Sequence, residues 1–181
     1  MNRFQTSMSA AAVGILVAFS APSIAATKAD YSAAKDRAEA DYKTASDACK
    51  SLAGNPKDIC VAEAKAARTK ATAMAEADYK NTPKAHADAM DSAADADYDV
   101  AKQRCDAKTG NEKDVCVKEA KAAQVKAKAD AKANLKTADA RHDAAEDKRD
   151  ANYKVAMEKC DALAGAAKDN CQSTAKSTYG K

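Results

Sequence analysis

A cysteine, ten residues and a second cysteine recur three times along the chain, as Cys49 to Cys60, Cys105 to Cys116 and Cys160 to Cys171. In every copy a glycine follows the first cysteine by five positions (Gly54, Gly110, Gly165), and a Lys-Asp pair precedes the second, separated from it by one residue. Glycine supplies the left-handed residue at which helices end. Each copy therefore reads as two antiparallel helices meeting at a turn, with the cysteines about equally far from it. A disulfide needs Cα atoms within about 7 Å, closer than the usual 8–10 Å between helices, and small alanine side chains permit that approach. The expected bridges are Cys49–Cys60, Cys105–Cys116 and Cys160–Cys171. Six cysteines allow fifteen pairings. A separation of eleven is also close to three turns of an unbroken helix, which would put both cysteines on one face to bridge elsewhere. The glycines and Pro56 favour the hairpin. Thiol or zinc chemistry fits less well, because no Cys-x-x-Cys occurs and zinc ligands within a pair stand two to four residues apart.

Residues 1–25 read as a secretory signal peptide: Arg3, an apolar Ala10–Phe19, and a small-x-small site that places cleavage after Ala25. Export implies an oxidising compartment, where disulfides persist. The apolar segment is too short for a mature membrane span, and none follows, so no stable membrane insertion is expected after cleavage. From Ala26 onward 29 basic residues stand against 27 acidic ones, a balance that gives no case for nucleic-acid binding. The same stretch has 43 Ala but only three Leu, one Ile and six Val. Alanine is the best helix former, yet so few large apolar side chains leave little core. The disulfides must supply what that core lacks.

The 3.6-residue periodicity marks the helices. Tyr31, Ala34, Ala38, Tyr42, Ala45, Cys49 and Leu52 form one stripe, predicting a helix over Lys28–Leu52. Asn55 is expected to cap the second helix, with Pro56 at its first position, and the helix to run to Lys80. Asn81-Thr82-Pro83 ends it. A third helix is predicted over Lys84–Lys108, and Asn111 is expected to cap a fourth from Glu112. Between Gly110 and Gly165 there is neither Gly nor Pro, so one helix of about 50 residues runs through or the chain bends. The stripe loses phase at Glu146–Asp150, which predicts a bend near 137–150. A short helix over Ala167–Thr178 closes the chain. The expected fold is all-α: 26–181 forms one domain of three repeated antiparallel hairpins (about 30–80, 84–136 and 139–179), packed as an alanine-rich bundle or an elongated coiled-coil-like array. Tyr42, Tyr98 and Tyr153, each seven residues before a first cysteine, are the large knobs of the seams.

Few residues suggest chemistry. His86 and His142 occupy matching repeat positions, with Met90 near the first, and are the weak candidates for a metal site. Asp88, Asp91, Asp95 and Asp99 line one face of the third helix; calcium sites need loops that wrap the ion, so this strip is expected to pair with the lysines of 113–136. No nucleophile–base grouping and no phosphate-cradling loop is present, so neither catalysis nor a cofactor is expected.

The repeats Ala-Asp-Tyr-Lys, Cys-Asp-Ala-Leu-Ala-Gly-x-x-Lys-Asp-x-Cys and Val-Lys-Glu-Ala-Lys-Ala resemble those of small exported Ala/Lys/Asp-rich proteins of Gram-negative bacteria, often labelled cell-envelope TolA-like. The resemblance covers the mature chain and implies a periplasmic location. A protein partner of the cell envelope or self-association is expected beside it, since thin alanine seams could be completed by a second copy. Three functions are compatible: a non-enzymatic scaffold, spacer or binding protein; a metal- or redox-handling protein using Cys, His86, His142 and Met90; and a holdase-type chaperone.

Overall fold

The computed structural model describes residues 26–181; the segment read as a signal peptide lies outside them. The described residues form five helices: α1 Lys28–Ala48, α2 Gly54–Lys80, α3 Pro83–Cys105, α4 Gly110–Asp161 and α5 Gly165–Tyr179. Helix α1 opens on a capping box. The Asp30 N–H donates to Thr27 Oγ1 (3.2 Å), and the Thr27 N–H donates back to the Asp30 carboxylate (2.9 Å). It closes in a 3-10 turn over Cys49–Ser51, so that Leu52 is already extended rather than helical.

The three hairpin turns share one conformation. An extended residue (Ala53, Thr109, Ala164) precedes a glycine with φ of 60°, 55° and 57°. The glycine is left-handed as expected, but it opens the second helix instead of closing the first. This moves the cap upstream, and Asn55 does not serve as one. Its Nδ2 instead donates to the Gln103 carbonyl on α3 at 2.7 Å, tying the first turn to the next hairpin. A Cβ at Gly110 would meet no atom within 4 Å, so only the backbone opposes a side chain there. Gly110→Ala is expected to cost about 1–2 kcal/mol, read as a lower midpoint in thermal or urea unfolding with unchanged helical content.

Between α2 and α3 the chain reverses at Asn81, which is left-handed (φ 46°, ψ 46°). Thr82 caps α3 by accepting the Ala85 N–H (3.1 Å), and Pro83 takes the first helical position. No such reversal occurs in α4. Its 52 residues are helical through 137–150, so the expected bend gives way to a single helix about 78 Å long. The stripe fades there because nothing packs there: 139–149 is exposed on every side.

Packing is strictly sequential. Helix α1 lies on α2, α2 on α3, α3 on α4 and α4 on α5, and among the described residues no other pair of α-helices is in contact. The expected alternatives thus resolve into an elongated array rather than a closed bundle. Of fifteen buried apolar residues eleven are alanine, and the largest fully buried side chains are Cys49, Cys105 and Cys160. Seams of this kind let the backbones approach, and all three bridges form as expected, with Cα–Cα separations of 5.7, 5.6 and 5.6 Å. Tyrosines span each hairpin beyond its disulfide. Tyr42 lies under Arg68 (4.2 Å) and Tyr98 under Lys121 (5.3 Å), while Tyr153 meets Tyr179 edge-on (6.3 Å). Tyr31 stacks on Tyr79 at the open end of the first hairpin (5.4 Å).

Candidate functional site

Helical periodicity brings the acidic strip of α3 against α4. Asp91 and Asp95 are four residues apart, on one face, and Lys128 reaches both, at 3.1 and 2.7 Å. Gln124, buried, donates its amide to Asp95 as well. Asp88 instead pairs along its own helix with Lys84 (2.8 Å), and Asp99 lines the groove between α2 and α3. Two of the four, Asp91 and Asp95, therefore hold α3 in register on α4.

The Lys128 hydrogen bond, helped by Gln124, holds the Asp95 carboxyl below the usual aspartate range against a smaller opposing effect of desolvation. A carboxylate shifted down in the folded state stabilises above its unfolded pKa, and that contribution is lost as pH falls through the depressed folded value. Acid is thus expected to loosen α3 on α4. Both side chains are at least one-third exposed, so solvent screening keeps the effect of Asp95→Asn below about 1 kcal/mol. Paired thermal melts of wild type and Asp95→Asn should differ at neutral pH and converge well below the usual aspartate range.

The two histidines do not share a site. His86 and Met90 line a groove of about 360 Å³ between α3 and α4, with Leu135 and Ala138 opposite. His142 stands one turn beyond Ala138, outside that lining and exposed. Its Nδ1 is 3.7 Å from Asp143 and 3.9 Å from Glu146. Ligand atoms of these three lie within 4.8 Å of one another, a grouping readable from their i, i+1, i+4 spacing but missed beside the pairing of His142 with His86. All three are solvated and on one helix, so the arrangement wraps no ion.

A larger groove, about 730 Å³, runs between α2 and α3. Lys57, Lys65 and Lys102 alternate there with Asp58, Asp95 and Asp99, so it carries no field of one sign. No cysteine among the described residues is free. What the arrangement offers is shape: two stapled units joined by one helix. Searches against protein-family models, curated proteins and solved structures found no match for this chain.

Proposed function

We propose that this chain is a non-enzymatic periplasmic scaffold or spacer of the cell envelope, which presents two disulfide-stapled ends at a fixed separation. The observation that carries the reading is α4. Its first part holds α3 through Cys105–Cys116, its last part holds α5 through Cys160–Cys171, and 139–149 between them touches neither. A helical segment such as 139–149, polar on every side and carrying both charges, is what a solvent-bridging strut requires. Three disulfides suit an oxidising compartment. No described helix is long and apolar enough to cross a membrane. The reading of residues 1–25 as an export signal and the resemblance to exported TolA-like envelope proteins support the periplasm.

Photo-crosslinking from intact cells tests the reading. A crosslinking residue at Lys57 in the first turn, or at Lys168 in the last, should capture discrete envelope proteins. Replacing 139–149 by a Gly/Ser segment of equal length should abolish capture from one end while both staples still form. A protein retained in the cytoplasm with reduced cysteines, or capture indifferent to the flexible segment, would overturn it.

A further inference from the structure

The internal repeat puts a complete helix–helix seam on α4 with nothing packed against it. Cys60–Lys80 of α2 corresponds to Cys116–Lys136 at an offset of 56, and Tyr98–Cys105 of α3 corresponds to Tyr153–Cys160 at an offset of 55. The two parts of α4 are therefore the counterparts of α2 and α3. In the first copy the chain folds back at Asn81-Thr82-Pro83. In the second, Thr137-Ala138-Asp139 stand at those positions, no proline stops the helix, and the two faces that should meet are left on one continuous helix.

Those faces can be followed residue by residue. In the first copy Ala66 of α2 packs with Ala96 and Val100 of α3. Val100 is 8% exposed there, whereas its counterpart Val155 is 53% exposed, and Ala122 and Ala151, the counterparts of Ala66 and Ala96, are exposed as well. Val125, at the place of Thr69 beside that seam, is 56% exposed. The charge that clips the seam is kept too. Glu63 and Arg104 pair at 2.6 Å, and their counterparts are Glu119 and Lys159, which have no ionic partner among the described residues. These two lie about 60 Å apart along the same helix and cannot meet within one chain.

We propose that a second copy of this chain closes the seam. Two α4 helices lie antiparallel about a two-fold axis near Ala138, residues 110–136 of each against 139–161 of the other. The contact is the α2–α3 packing opened out at its hinge and exchanged between copies. In that register Glu119 of one copy meets Lys159 of the other, and Lys132 faces Asp147, so opposite charges meet on both sides of the axis. The inference rests on the repeat and not on the spacer reading, and it stands or falls separately.

Sedimentation equilibrium of the oxidised exported protein at tens of micromolar tests it. Wild type should run at twice the chain mass. Val155→Glu, at a site already open to solvent in the single chain, should leave helicity and disulfides intact. It should weaken association about 100-fold or more, because the charge is buried twice in a two-fold dimer. Glu119→Lys alone should weaken association, and adding Lys159→Glu should restore it by rebuilding the pair in reverse. A monomeric wild type, a Val155→Glu protein that associates unchanged, or a double reversal no better than the single one would overturn the proposal.

Discussion

Reduced with excess dithiothreitol, the protein is expected to lose its cooperative unfolding transition while keeping much of its helical signal. Each bridge joins residues only eleven apart, and the chain-entropy argument gives such loops about 2–3 kcal/mol. Three together contribute roughly 6–9 kcal/mol, comparable with the whole stability of an ordinary domain, about 5–15 kcal/mol. Little else replaces them. Eleven of the fifteen buried apolar residues are alanine, whose burial returns far less than that of leucine or phenylalanine. The ion pairs between helices, such as Arg68–Glu39 and Lys70–Asp97, are exposed and worth at most about 1 kcal/mol each. Alanine's helix propensity survives reduction and keeps much of the helical signal, but helices of 15 to 52 residues no longer tied to one another melt gradually, each by itself, rather than in one transition. Circular dichroism during urea titration, with and without reductant, checks this. A reduced protein that unfolds at the oxidised midpoint would show that the alanine seams suffice alone.

The second large effect is expected from moving the reversal of the first repeat into α4. Thr137→Asn, Ala138→Thr and Asp139→Pro together reproduce Asn81-Thr82-Pro83. Proline inside a helix costs about 3 kcal/mol or more, because it removes a hydrogen bond and clashes with the preceding turn. Here the loss is offset by a cap for the new helix and by closure of Ala122 and Val125 against Ala151 and Val155 within one chain. The longest dimension in small-angle X-ray scattering should shorten markedly, and self-association should fall because its surface is consumed. An unchanged longest dimension would mean that the two parts of α4 are not the equivalents of α2 and α3.

Much of the fold was legible because the strongest signals were local. Cysteine spacing and a glycine five residues on specify a hairpin without reference to anything distant, and all three bridges follow. Asn81-Thr82-Pro83 is equally explicit, and its residues act as a left-handed stop, a cap and a first position. The errors have a common source. Phase loss at Glu146–Asp150 predicts a bend, yet a helix with no neighbour needs no stripe, and α4 continues through it. Asn55 has the composition of a cap, but α3 lies close enough to take its amide, and only the tertiary arrangement reveals that. Gln124 gave no sign of burial because its partner Asp95 comes from 29 residues away. The pairing of His86 with His142 assumed that the second repeat folds back like the first. The missing proline at Asp139 is the residue that could have warned against it.

The most direct test of the stapled array is non-reducing peptide mapping of the purified protein, combined with thiol titration. The account predicts no free thiol and three local pairs, Cys49–Cys60, Cys105–Cys116 and Cys160–Cys171. Free thiols, or bridges between different repeats, would contradict it.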